Sequence, residues 1–138
     1  MKLNSTHTIY KEADVACSRP QLVLMLLDAA GRYSREAASH LRAERWAEKG
    51  QAVDAAFECL AELRKGLDMT AGGEAAANLD QMYDFLITKL TIGNASRDAA
   101  QFDQVAQAVQ TLRDAWEQLF ERLRAEGKLV ADDGAIIR

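Results

Sequence analysis

The chain is poor in most of the residues that specialised chemistry requires. It has one proline, two cysteines and two histidines among 138 residues. Cys17 and Cys59 lie forty-two residues apart, with no C-x-x-C and no clustered histidine near either. Zinc binding, haem attachment and dithiol exchange are therefore unsupported, and two reduced thiols are the expected state. A di-iron bundle would need Glu-x-x-His on two helices, whereas His40 has Ala37 three residues before it and His7 stands in the N-terminal arm. No cofactor and no metal are expected. Gly72-Gly73 lacks both the G-x-x-x-x-G-K-[ST] frame and the preceding strand of a phosphate loop, so it reads as a helix-entry turn. Nothing in these residues asks for an enzyme.

A one-sided charge is missing too. The 17 Lys+Arg and 21 Asp+Glu are interspersed and leave a net charge of −4, without the basic field that nucleic acid requires. No apolar run approaches the ~20 residues of a membrane span. The stretch Met1 to His7 has none of the apolar character of a signal peptide. A cytoplasmic chain with no nucleic acid partner and no membrane insertion is the expectation.

What is plentiful is helix-forming: Ala, Leu, Glu, Arg, Gln and Asp dominate. A single domain of this size buries roughly two-thirds of its surface, enough for a core without disulfide or metal. Residues 1–17 carry few apolar side chains, chiefly Leu3, Ile9, Tyr10 and Val15, and are expected to form a mobile arm. Ser18-Arg19-Pro20-Gln21 then sets a hydroxyl cap, a first-turn proline and a capping-box glutamine in order, which starts helix one. Its stripe is Leu22, Met25, Leu26, Ala29, Tyr33, Ala37 and Leu41, running to about Arg45.

The periodicity breaks over Trp46 to Gly50. A second stripe follows at Val53, Ala56, Phe57, Leu60, Leu63 and Leu67, with Gly66 at its close. After a turn over Asp68 to Gly73, a third stripe of Ala76, Leu79, Met82, Tyr83, Leu86, Ile87 and Leu90 is expected to end at Gly93. Asn94 to Arg97 connects to a last stripe from Phe102 to Leu123, with Asp98 as N-cap, Gln101 three residues on and Gly127 as the stop. Residues 128–138, with the turn signal Asp132-Asp133-Gly134, are expected to be a disordered tail. Short connections force neighbouring helices to run in opposite directions, so residues 18–127 are expected to form an all-α, antiparallel up-down four-helix bundle.

Apolar residues exceed what one core can take. Leu22 to Leu27 are six in succession, wider than the stripe one helix buries, and Met82, Tyr83, Phe85, Leu86 and Ile87 repeat the excess on helix three. Such faces take either the arm or another chain, and methionine suits a groove that adapts to a helical ligand.

The order and spacing of several segments add to this. They are Ile9-Tyr10-Lys11-Glu12, the run from Ser18 to Asp28, Leu67-Asp68-Met69, the run from Gly72 to Leu79, Met82-Tyr83-Asp84-Phe85, and Leu112-Arg113-Asp114-Ala115-Trp116. Across residues 9 to 120 they resemble the flagellar secretion chaperone family FliS. The chain departs from that pattern at Leu26-Leu27-Asp28, where the family often has Leu-Tyr-Asp, and at Ser18-Arg19-Pro20, where it has Ser-Pro. Nothing transfers to residues 121 to 138.

The resemblance implies a helical bundle without catalysis that binds the disordered C-terminal segment of flagellin. It implies prevention of premature polymerisation and delivery to the type III export apparatus, with the export gate component FlhA as a partner. The residues expected to meet the client are Ile9 and Tyr10 in the arm and Leu22, Met25 and Leu26 on helix one. On helix three they are Leu79, Met82, Tyr83 and Leu86. The alternative is a generic adaptor or regulatory bundle that binds some other amphipathic helix.

Overall fold

In the computed structural model, residues 19–127 are described. The expected arm, the Ser18 cap and the expected tail lie outside them. Four helices occupy the described residues: α1 (Arg19–Arg42), α2 (Trp46–Lys65), α3 (Met69–Ser96) and α4 (Ala99–Ala125). No strand occurs among these residues.

Polar links between helices fix their directions. Arg42, at the end of α1, pairs with Asp103 near the start of α4, and Arg113 reaches back to Asp28 at 3.0 Å. Lys49 at the start of α2 donates to Asn94 near the end of α3 at 2.5 Å, while Arg64 near the end of α2 bonds Asp80 at 2.6 Å. Lys89 of α3 donates to Gln101 and Gln104 of α4 at 2.9 and 2.6 Å. Every such pair joins an early position to a late one, as in an antiparallel bundle. Helices α2 and α4 each pack against both α1 and α3, which puts α1 and α3 at opposite corners of a square.

The helices are buried unequally. α1 turns Val23, Leu27, Ala30, Gly31, Ser34, Ala37, Ala38 and Leu41 inward, and its many small residues let α2 and α4 come close on both sides. Ser34 is the buried polar residue of this set, and its hydroxyl is satisfied by donating to the Ala30 carbonyl at 2.7 Å. The core between the helices is filled by Leu60 and Leu63 of α2, Tyr83 and Leu90 of α3, and Phe102, Val105 and Val109 of α4. α3 packs less extensively on its neighbours than α1 does.

The helix ends differ from the sequence expectation in instructive ways. α1 stops at Arg42, not Arg45, because Glu44 takes the left-handed conformation at φ 60°. The Arg45 amide then bonds the His40 carbonyl and the Glu44 amide that of Leu41, a Schellman closure. α2 starts at once at Trp46, so Trp46 to Gly50 is its first turn. α3 begins five residues before Glu74, because the Asp68 carboxylate caps the amides of Thr70 and Ala71 and makes a helical turn of what the double glycine suggested was loop.

Gly73, at φ 56° and ψ −132°, breaks α3 after that turn, in a region that only glycine enters readily. Gly93 does not stop α3. It is buried inside the helix, where an added Cβ would lie 2.9 Å from both Gln101 and Phe102 of α4. The helix runs on to Ser96 and closes on Arg97, left-handed at φ 53°. Asp98 caps α4 as expected, accepting from the Ala100 amide at 3.1 Å.

Candidate functional site

The apolar surface that the core leaves uncovered is concentrated on α3. Met82 is 45%, Phe85 57% and Ile92 47% exposed, whereas Tyr83 and Leu90 between them are fully buried. Residues seven apart share a helix face with only ~20° of drift. Met82 lies seven before Lys89, which reaches Gln101 and Gln104, so Met82 and Phe85 stand on the α4 side of α3. The Lys89 ammonium sits 5.4 Å from the centre of the Phe85 ring. On α4, Gln104 is followed at four, three and four residues by Ala108, Thr111 and Ala115. Those small side chains run antiparallel to Phe85 and Met82 and form the other bank of a shallow apolar groove.

A second groove lies across α3. Phe57 is seven residues before Arg64, whose guanidinium bonds Asp80 and Asp84. Phe57 therefore lies on the α3 side of α2, exposed, opposite the face of half-buried Ile87, seven after Asp80. On α1 the corresponding position is Met25, exposed, seven before Arg32. Arg32 acts electrostatically on the Cys59 thiol of α2, while Asp28, three after Met25, pairs with Arg113 of α4, so Met25 stands on the outer face of α1 between its two neighbours. Met25 and Met82 thus stand on helices at opposite corners of the bundle.

The residues expected to meet a client separate by depth. Met25 and Met82 are exposed and Leu79 is half-buried. Leu22, Leu26, Tyr83 and Leu86 are buried with the core. Ile9 and Tyr10 lie outside the described residues. Sequence reasoning left Phe85, Ile92 and Phe57 off the list of contacts. Their signal is a second line of apolar residues, offset from the core stripe by one or two positions rather than continuing it.

The chemistry around these grooves is structural. Burial pushes the Cys59 thiol up to about 11, with Arg32 pulling the other way, so at neutral pH it is a thiol and a poor nucleophile. The Tyr83 phenol is pushed up to about 12 by burial, eased by the Trp116 indole N–H. Among the described residues no group of His, Cys, Asp and Glu is arranged to hold a metal ion, and no helix is long and apolar enough to cross a membrane.

Fold and surface together define a helical bundle that carries exposed apolar side chains on α1, α2 and α3, the kind of surface on which amphipathic segments dock. Comparison with known proteins makes the class specific. The family described as flagellar protein FliS matches residues 2–123, and the chain belongs to that family, which consists of chaperones and not enzymes. It is 31% identical to the flagellar secretion chaperone FliSB of Pseudomonas aeruginosa over 77% of this chain and 85% of that one. It is 32% identical to the flagellar secretion chaperone FliS of Salmonella typhimurium over 79% and 82%. With the FliS of Vibrio cholerae it shares 35% identity over 51% of this chain, about half (52%) of that protein's length.

Proposed function

We propose that this protein is a cytoplasmic export chaperone for flagellin. In this reading it takes up the C-terminal segment of flagellin, keeps it from polymerising before export, and presents it to the export gate component FlhA. The observation that carries the reading is the apolar outer face of α3, with Met82, Phe85 and Ile92 in water beside a groove of small residues, in a chain of this family. A segment that is an amphipathic helix without its polymer partners is sticky, and laying its apolar face into such grooves removes that surface from water. No nucleotide is required.

Because the exposed methionines stand on α1 and α3, at opposite corners, a client that touches both has to cross the bundle surface. Met25, Leu79 and Met82 make the outer contacts, while Leu22, Leu26, Tyr83 and Leu86 form the floor beneath. A client that orders as it binds gives up part of the interaction free energy, so wide coverage with moderate affinity results, which suits a chaperone that must release. Ile9 and Tyr10, which lie outside the described residues, are further client contacts in this reading.

Co-purification tests this. Full-length flagellin should be retained by the chain, and flagellin cut short at its C-terminus should not. Equal retention of both forms would remove the assignment of the client segment.

A further inference from the structure

Sulfur is sorted by depth in this molecule. The three methionines of the described residues, Met25, Met69 and Met82, all stand in water. The buried core holds none and is built from Leu, Val, Ala, Phe and Tyr. Methionine is ordinarily among the residues that cores take in, so its placement wholly at the surface sets these side chains apart. Cys59 is the opposite case. It is half-buried and its thiol is pushed up to about 11 by burial, so at neutral pH it offers almost no thiolate to an oxidant.

A thioether needs no deprotonation to react. Its sulfur lone pair attacks one oxygen of hydrogen peroxide, an S–O bond forms and the O–O bond breaks. The other oxygen leaves as hydroxide and takes the proton from the new S–OH, giving sulfoxide and water. Sulfur loses two electrons and peroxide gains them, so the oxidant has only to reach the sulfur. A flexible apolar side chain thereby becomes a polar, chiral one. At Met82 the new oxygen would point into the groove beside Phe85. The donors along that groove are committed: Lys89 to Gln101 and Gln104, and the Thr111 hydroxyl to the Gln107 carbonyl. An apolar helix laid there would strip water from the sulfoxide without replacing its hydrogen bonds.

We infer that Met25 and Met82 are oxidation sites, at which peroxide or a related two-electron oxygen donor weakens client uptake while the bundle stays folded. The inference rests on the reading of these faces as client-binding surface. The fold is spared because no sulfur of the core is a methionine, and the modification is reversible because sulfoxide reductases return the thioether. The adaptability that suits methionine to an amphipathic ligand and its sensitivity to oxidants come from the same sulfur atom.

The test treats the full chain with hydrogen peroxide, then with dithiothreitol, which reverses disulfides and sulfenic acids and leaves sulfoxides. Peptide mapping by mass spectrometry should find sulfoxide at Met25, Met69 and Met82 and an intact thiol at Cys59, with the helical circular dichroism retained. Calorimetry with the flagellin C-terminal segment should show affinity at least about tenfold below that of the untreated chain. In the Met25→Leu, Met82→Leu double variant the ratio of treated to untreated affinity should stay within about twofold, whatever its own affinity, although Met69 still oxidises. Met69→Leu should keep the full tenfold effect, and the two methionine sulfoxide reductases together should reverse it. Unchanged affinity after oxidation, an equal loss in the double leucine variant, or unfolding on oxidation would each overturn this inference alone. An untreated chain that does not bind the segment would overturn the client reading and this inference with it.

Discussion

Tyr83 fills the middle of the bundle, yet its hydroxyl meets no partner of normal hydrogen-bond geometry, and the Trp116 indole N–H only partly relieves it. The neutral phenol is the form that the core accepts. An unfolded chain ionises this group near pH 10, the folded one at about 12. The unfolded state therefore binds fewer protons in that window, and stability that is whole below pH 10 is lost as pH rises from about 10 to about 12. Cys59 acts with the same sign from about pH 9 to its raised value of about 11. Urea unfolding of Tyr83→Phe should show stability within about 1 kcal/mol of wild type at pH 7, because it removes a poorly satisfied buried hydroxyl but takes an acceptor from the Trp116 indole N–H, and a shallower decline above pH 10. A loss above about 1 kcal/mol at pH 7 would mean that the hydroxyl has a partner after all.

Helix termini hold most of the difference between what the sequence announces and what the chain does. Asp98 was legible as a cap because its carboxylate needs only a free amide within two or three residues. Asp98→Ala should destabilise by about 1 kcal/mol in thermal or urea melts. The core stripes of α2 and α4 were legible for a similar reason, since period decides which residues face inward, except that Phe57, expected in the α2 stripe, is exposed because it stands one position off the buried line of Ala56, Leu60 and Leu63. Gly93 read as a stop because glycine favours helix ends, but its smallness serves the α3–α4 contact. Gly93→Ala should cost about 1 to 3 kcal/mol through overpacking, with no gain from its better helix propensity. The true closures at Glu44 and Arg97 were illegible, since neither residue type advertises a positive φ. Glu44→Gly should accordingly raise stability by about 0.5 to 1 kcal/mol, relieving left-handed strain against some loss of chain entropy. The site was legible as an excess of apolar residues on α1 and α3. Which of them are reachable was not, because depth follows from how closely α2 and α4 approach, and that depends on the small residues Ala30, Gly31, Ala37 and Ala38.

At the scale of the whole molecule, α1 is the deeply held helix and α3 the lightly held one, with apolar side chains in water along its outer face. A bundle built only for its own stability would place polar residues at Met82 and Phe85. Met25 stands on α1, at the corner opposite α3, so a client that touches both has to span the bundle instead of filling one cleft. The direct measurement is titration calorimetry of the flagellin C-terminal segment into the full chain and into Met82→Glu and Met25→Glu, each checked for helicity by circular dichroism. The account predicts a one-to-one complex that both variants weaken at least about tenfold while remaining folded. Wild-type affinity in both folded variants would contradict it.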